Sequence, residues 1–437
     1  MEDKITESRR GGRMKAGIRN YGDLLVLGIL AVPVGILAGA VDTIFGRVLL
    51  ILTSFRTSHA FWLIPFLGAA GAGIVWCYQR FGGKSIRGMS LVFEAGHGVA
   101  GDIPLRLIPL TILGTWLTHL FGGSAGREGV AIQIGGTLAH GIGKRLPIPG
   151  AGRLLLITGM AAGFAGLFRT PVAATFFAVE VLTAGVLEYR AIFPAMIASY
   201  VADFTSGKLG LDKFTFGLTA QIPFSWQLAA QLLLLGVVFG ITGGLFAFSL
   251  HKLKAFFAQK LPNPILRILM LGVSISAFSL LCRGGRYSGL GTNLIAMSFG
   301  SGVLPWDFVL KFLLTIVTLS AGFQGGEVTP LFAVGASLGA VLGPQLGLPG
   351  VFAAALGYAA VFGSATNTLL APMLIGAEVF GFEYLPFFFV ICTVSYVCNG
   401  NLSIYPLQKR RSILETKRGL PPAQTDGKPL LVHADSE

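Results

Sequence analysis

An internal repeat constrains the fold of this chain more than any other feature of its sequence. Eight residues of the segment Gly159–Val181 recur 198 positions later, in Gly357–Val379. At an offset of 199, Glu128 aligns with Glu327, and each glutamate opens a glycine-rich segment. In a membrane protein, two corresponding segments of this kind indicate a transport site where helix ends from both repeats meet. The alternative is an old duplication without a shared site.

Composition places the chain in a membrane. Hydrophobic residues make up 53% of the 437 residues and charged residues 12%, with a mean hydropathy of +0.73. A soluble protein of this length needs more charge on its surface. Since about 20 apolar residues cross a bilayer, the sequence predicts clear spans at Leu24–Val41, Phe61–Cys77, Leu228–Leu250, Ile265–Cys282 and Phe308–Phe323. Discontinuous helices that line a cavity are predicted where glycine, proline or charge interrupts the apolar sequence, around Ala131, Met160, Leu331 and Tyr358.

Basic residues near both ends of the chain predict its topology. The net charge is +13, and lysine and arginine cluster in the first 20 residues and again between Lys409 and Arg418. By the positive-inside rule, both termini are predicted to be cytoplasmic. The predicted organisation is an N-terminal tail (1–20), a membrane transport domain (21–406, with halves of about 21–220 and 221–406) and a C-terminal tail (407–437). Without a basic stripe that carries interleaved aromatic residues, nucleic-acid binding is not expected.

Glu128 lies in the glycine-rich stretch Gly122–Gly136, next to Arg127. Glycine lets backbone N–H groups approach a ligand closely, and the following sequence predicts a helix that begins just after Glu128. A helix start offers free N–H groups and the positive end of the helix dipole, so it attracts anions. A carboxylate at this position competes with an anion for the same donors. The alternative is a glutamate that only caps the helix.

Several motifs together resemble the CLC family of chloride channels and proton-coupled anion antiporters. They are GREGV at 126–130, GGEVTP at 325–330, the repeated GxAAxF segments and Tyr405 in GNLSIYP. The resemblance implies an all-α CLC fold with two inverted repeats of tilted and re-entrant helices, and a homodimer with one anion path in each subunit. It implies that Glu128 is the gating glutamate and that Tyr405 lies at the inner end of the path. It also places Gly326, Val328 and Pro330 on a segment whose backbone amides face the anion.

Departures from the usual family pattern resemble the fluoride branch, the CLC-type fluoride/proton antiporters. Where most members carry a serine-containing GSGIP loop, this chain has RGMS with Met89, and Glu327 and Thr329 replace apolar or small residues. Val181 follows Glu180 at the position where many exchangers carry an internal proton-transfer glutamate, so the proton route of the chloride exchangers is in doubt. Val130 replaces the proline of the usual GREGP.

The sequence therefore predicts a multi-pass protein of a bacterial-type inner membrane that exports fluoride from the cytoplasm in exchange for protons. Its expected partners are fluoride, protons, the lipid bilayer and a second copy of the chain, with no cofactor and no metal. A passive or chloride-selective channel of the same fold is the alternative. An enzyme is not expected, because the six histidines are scattered and lack ligand partners at helical spacing within the membrane body.

Specific roles are predicted for individual residues. Glu128 and Glu327 are expected to carry protons, with Glu327 substituting for the acid missing at Val181. The Thr329 hydroxyl is expected to donate to fluoride or to Glu327, although it could be an ordinary helix cap. Met89 is expected to shape the anion site by packing, although methionine is also a common core filler. The predicted anion-binding set is Met89, Gly126, Gly129, Gly326, Val328, Thr329 and Tyr405.

Overall fold

The fold is built almost entirely from helices. A computed structural model describes the backbone of residues 2–410 except residues 100, 220, 221, 224 and 283, and describes side chains from residue 21 onward with the same gaps. The predicted C-terminal tail from residue 411 lies outside the described residues. Residues 408–410 pack on the membrane body, since the Gln408 amide donates to the carbonyl of Val181 at 2.9 Å.

The first half of the chain contains nine helices and one strand in the described residues. They are α1 (Glu2–Ser58), α2 (Ala60–Leu63), α3 (Leu67–Cys77), α4 (Met89–Gly96), α5 (Leu107–Leu120), α6 (Glu128–Gly143), α7 (Ala151–Phe168), α8 (Pro171–Glu180), β1 (Thr183–Ala184) and α9 (Tyr189–Lys208). Short 3₁₀ or π turns join α2 to α3 and α3 to α4. Helix α1 runs through the boundary predicted at residue 20.

The second half contains eight described helices and one strand. They are α10 (Trp226–Lys260), α11 (Pro264–Leu281), α12 (Thr292–Phe299), α13 (Asp307–Ala321), α14 (Val328–Gln345), α15 (Gly350–Thr366), α16 (Leu370–Phe380), α17 (Leu385–Val397) and β2 (Lys409–Arg410). The α4 to α8 sequence of the first half corresponds to α12 to α16 of the second. Strand β2 pairs in parallel with β1, so the chain end joins the first half.

Six helical stretches among the described residues are long and apolar enough to cross a membrane: Tyr21–Ser58, Ala60–Gly96, Ala151–Phe168, Trp226–Lys260, Pro264–Leu281 and Val328–Gln345. The predicted span Phe308–Phe323 corresponds to α13. This helix has 15 residues and extends about 23 Å at 1.5 Å per residue, so it is shorter than the six stretches above. The four segments predicted to be discontinuous, around Ala131, Met160, Leu331 and Tyr358, each lie in a continuous helix.

The glycines of these segments allow neighbouring helices to pack closely. A Cβ at Gly135 of α6 would overlap the carbonyl oxygen of Gly159 in α7, and one at Gly335 of α14 would overlap that of Gly357 in α15. The missing side chains let the helix backbones touch, as in other membrane helix pairs. The same packing therefore occurs twice, once in each repeat.

Candidate functional site

The loops that precede α6 and α14 pair with each other at the centre of the molecule. Gly126 and Gly326 form an isolated antiparallel bridge. The Gly126 N–H donates to the Gly326 carbonyl at 2.5 Å, and the Gly326 N–H donates to the Gly126 carbonyl at 2.8 Å. This bridge brings the two helix starts together, so the segments that correspond in the sequence also meet in space. In this conformation both glycine N–H groups are used within the bridge.

Glu128, the first residue of α6, is buried with 1% of its surface exposed. Its carboxylate accepts hydrogen bonds from the start of α14 in the other repeat. Oε2 lies 2.5 Å from the Thr329 hydroxyl and 3.2 Å from the Thr329 backbone N–H. The carboxylate therefore occupies donors at a helix start that a bound anion could also use.

Arg127 flanks the same carboxylate. Its backbone N–H donates to Glu128 Oε2 at 3.2 Å, and its guanidinium Nε lies 3.5 Å from Oε1. Nε and Nη1 are buried and have no hydrogen-bond partner among the described residues. Glu128 thus lies between a guanidinium on its own chain segment and the donors of Thr329.

Glu327 lies beside Glu128 but in a different environment. It is the N-cap residue of α14, is half-buried and lines a cavity. Its Oε2 lies 3.7 Å from the position that a Cβ on Gly129 would take. The hydroxyl of Thr329, predicted to donate to fluoride or to Glu327, donates to Glu128 instead. The reason is geometric, since the Gly126–Gly326 bridge presents the first turn of α14 to the carboxylate of α6.

The cavity, called the vestibule below, has a volume of about 590 Å³. Its basic lining residues are Arg87, His251, Lys254 and Arg267, and Glu327 is its acidic lining residue among the described positions. Apolar and aromatic side chains form much of the remaining wall. The vestibule is therefore positive overall with one carboxylate in its wall, which raises the local concentration of anions. Glu128 and Arg127 are not part of this lining.

Met89 and Tyr405 both line the vestibule. Met89 begins α4 and is half-buried. Tyr405 is 4% exposed and its ring stacks on Phe93 with centroids 5.1 Å apart. Its hydroxyl has no hydrogen-bond partner among the described residues. Because a buried phenol usually finds a partner, this hydroxyl is a donor available to a ligand.

The remaining predicted anion-binding residues lie around the same point. Gly129 lines the vestibule, and Val328 is the fully buried first residue of α14. Gly126 and Gly326 form the bridge described above. The structure thus brings all of the predicted site residues into one region at the junction of the two repeats.

Two glutamates at the repeat interface make contacts that were not predicted from the sequence. The Glu180 carboxylate, at the end of α8, accepts backbone N–H groups of Leu369, Leu370 and Ala371 at the start of α16. Reciprocally, the Glu378 carboxylate near the end of α16 accepts the N–H groups of Val172 and Ala173 at the start of α8. Each repeat caps a helix of the other. The repeat match of Glu180 with Glu378 was the available signal in the sequence.

No role was predicted for Lys311, which is the basic residue within the apolar segment Phe308–Phe323. It is buried in α13, and its ammonium donates to Ser124 Oγ at 2.8 Å and to the Gly289 carbonyl at 2.6 Å. It therefore ties the loop before Glu128 to the second half of the chain.

Known proteins resemble this chain over most of its length. A family model described as voltage gated chloride channel matches residues 70–400. A chloride/fluoride channel protein of Pseudomonas syringae pv. tomato is 37% identical over 388 residues, covering 87% of this chain and 85% of that protein. An H(+)/Cl(−) exchange transporter ClcA of Yersinia pseudotuberculosis is 26% identical over 410 residues, covering 86% of this chain and 84% of that one.

Solved structures share the architecture. The crystal structure of a CLC-type fluoride/proton antiporter matches with a TM-score of 0.88 at 50% sequence identity, covering 90% of this chain and 99% of that chain. A slow cyanobacterial Cl−/H+ antiporter matches with a TM-score of 0.73 at 20% identity, covering 85% of this chain and 94% of that one. The second likeness concerns the fold alone.

Proposed function

Since this chain belongs to the CLC family and is an anion-transporting membrane protein, we propose that it exports fluoride from the cytoplasm in exchange for protons. The CLC family and the all-α CLC fold, both predicted from the sequence, are confirmed by the family match and by the solved structures. The observation that carries the proposal is the position of Glu128, whose carboxylate occupies the donors at the start of α14. The relative that is 50% identical is a fluoride/proton antiporter.

Glu128 acts as gate and proton carrier. As a carboxylate it excludes an anion both by charge and by using the Thr329 N–H and hydroxyl. Protonation removes the charge and weakens these charge-assisted hydrogen bonds, so the side chain can leave and an anion can take its place. Fluoride is small and strongly hydrated, and donors at a helix start replace part of its hydration shell. Exchange follows because one site holds either the ionised carboxylate or the anion.

Glu327 relays the proton between Glu128 and the vestibule. It lies in the vestibule wall on the side of Gly129, close to the start of α6. Glu180 is a poor candidate for this relay, because its two oxygens accept helix N–H groups of α16, and Val181 cannot carry a proton. A carboxylate within a membrane costs on the order of 2–3 kcal/mol or more unless it is paired or protonated, which favours a functional reason for Glu327.

The vestibule supplies the cytoplasmic end of the anion path. Its basic side chains collect fluoride by attraction, and Tyr405 offers a phenol donor near the inner end. Met89 offers no donor, because a thioether is only a weak acceptor. It narrows the path by packing, and this limits the site to a small anion whose partners are the donors of Gly129, Val328 and Thr329.

The proposed function includes an oligomeric state and an orientation in the membrane. The protein is a homodimer with one anion path in each subunit, lies in the inner membrane of a bacterium, and has both termini in the cytoplasm. The membrane domain spans residues 21–406 and needs no cofactor or metal. It performs transport rather than enzymatic turnover. A passive or chloride-selective channel is the competing function, supported by the relative named as a chloride/fluoride channel protein.

Reconstituted protein distinguishes these functions. Purified protein in liposomes is tested for fluoride and chloride efflux while proton movement is recorded in parallel. Fluoride efflux that drives proton uptake supports antiport. Anion efflux that neither drives protons nor responds to a proton gradient supports a channel. Glu188→Gln is the control variant. Glu188 pairs with Arg153 at 2.9 Å and does not line the vestibule.

A further inference from the structure

Asp42 is a buried acidic residue that the proposed transport cycle does not use. It lies in the membrane-spanning part of α1 with 0% of its surface exposed, and neither carboxylate oxygen has a hydrogen-bond partner among the described residues. Burial of a polar group without a partner is costly. Ionisable residues inside a membrane usually mark functional positions. Asp42 therefore requires a physical explanation.

Arg127 packs near Asp42. Gly46 follows Asp42 by one helical turn and lies on the same face of α1. A Cβ at Gly46 would lie 3.7 Å from Arg127 Nη1, and one at Gly166 of α7 would lie 2.8 Å from Asp42 Oδ2. The guanidinium thus packs on the face of α1 that carries Asp42.

When Glu128 is protonated, the guanidinium of Arg127 loses its negatively charged partner. Its guanidinium stays charged under all physiological conditions. While Glu128 is ionised, the contact of 3.5 Å between Nε and Oε1 balances that charge. When Glu128 becomes protonated, this partner is neutral and Nε and Nη1 still lack hydrogen bonds. A buried cation without a counter-charge is strongly unfavourable.

We propose that Asp42 is a positioning residue that supplies the counter-charge for Arg127 while Glu128 carries a proton. The inference rests on the proposed function, because it concerns the protonated state of Glu128. Asp42 acts through Arg127 and touches neither the anion nor Glu128. By balancing the guanidinium, it reduces the pull of Arg127 on the Glu128 carboxylate and so makes protonation of Glu128 easier.

Other charged and titratable groups around the two sites do not replace Asp42. Glu327 lies on the vestibule side. In α9, which packs against α1, Asp203 accepts a hydrogen bond from Arg169 Nε at 2.9 Å. Asp203 is thus already paired, whereas Asp42 is not.

A pH profile tests this role. Fluoride-driven proton uptake is measured across a range of pH for the full chain in liposomes. Asp42→Asn should move the pH of half-maximal uptake downward by about 1 unit, a typical effect of one nearby charge, because Arg127 then favours the ionised Glu128 more strongly. Asp42→Glu should keep the wild-type midpoint, and Asp203→Asn should not shift it. An unchanged or higher midpoint in Asp42→Asn, or an equal downward shift in Asp42→Glu, overturns the proposal.

A stability cycle tests the same pairing without transport. Asp42→Asn is made in the wild type and in Glu128→Gln, and the midpoint of thermal unfolding is measured in detergent. The loss in midpoint should be greater in the Glu128→Gln background, because Arg127 then has no carboxylate. Asp203→Asn should cause equal losses in both backgrounds. Equal losses for Asp42→Asn overturn the counter-charge role, whereas absence of proton coupling in wild-type protein overturns the proposed antiport and leaves this cycle valid.

Discussion

Two pairs of glutamates are related by the same internal repeat, yet the molecule uses them differently. Glu180 and Glu378 remain equivalent, since each accepts backbone N–H groups at the start of a helix in the other repeat. Glu128 and Glu327 are not equivalent. Glu128 is buried and bonded to Thr329, whereas Glu327 lies in the vestibule wall. The equivalent pair joins the two repeats, whereas the departure from symmetry gives Glu128 and Glu327 two different environments.

The largest expected effect is at the buried member of the unequal pair. Glu128→Gln keeps the size of the side chain but cannot ionise, so proton uptake coupled to fluoride efflux should fall to the level of empty liposomes. Parallel recordings with a fluoride electrode and a pH electrode measure it. Proton transport at the wild-type rate would remove Glu128 from its proposed role.

Glu327→Gln tests whether the vestibule-facing member carries the proton. Coupled exchange should stop while the protein elutes at the wild-type volume in gel filtration, because the amide cannot relay a proton but fills the same space. Glu383→Gln, at an exposed position outside the site, is the control and should exchange at the wild-type rate. If Glu327→Gln keeps full exchange and loses only thermal stability, the carboxylate is merely a helix cap.

Thr329→Val removes the hydroxyl that donates to Glu128 and not to Glu327. In the proposed cycle the anion takes over this hydroxyl donor when Glu128 leaves, and a hydrogen bond to a charged group contributes about 1.5–3 kcal/mol, so coupled fluoride efflux should slow by about 10-fold or more. Thr329→Ser keeps the hydroxyl and should retain most of the rate. An unchanged rate in the valine variant would mean that this contact does not matter for turnover.

Met89→Ser tests how the vestibule side selects its anion. The smaller side chain adds a hydroxyl donor and space, so fluoride efflux should decrease or the fluoride-to-chloride efflux ratio should fall by a few-fold, within the range of about 1–3 kcal/mol that pocket size contributes. Met89→Leu conserves volume and should leave the ratio near that of the wild type. If the serine variant keeps both values, Met89 is simply a packing residue.

The smallest expected effect on transport is at the equivalent pair. Glu180→Gln and Glu378→Gln should each lower stability by about 1 kcal/mol, as loss of a charged helix cap does, while proton coupling stays near the wild-type value. Thermal unfolding and flux, measured on the same samples, check both statements. Loss of coupling without loss of stability in either variant would contradict a purely structural role.

The sequence by itself determined the class of protein and the repeat, and it singled out Glu128 as a candidate site residue. These follow from composition, from a constant offset and from a charge in an apolar stretch, all of which are local or periodic properties. It also indicated that Glu327 corresponds to Glu128. It overestimated the effect of glycines on helix continuity, because glycine breaks isolated helices but lets packed membrane helices approach closely.

Only the tertiary structure decided which groups meet. The Thr329 hydroxyl donates to Glu128 rather than to Glu327, and Glu180 and Glu378 cap helices of the opposite repeat. Arg127 packs on the face of α1 that carries Asp42. Most of these contacts join residues about 200 positions apart in the chain. The register of such contacts is fixed by how the two repeats pack, including the Gly126–Gly326 bridge, and no local pattern in the sequence encodes that packing.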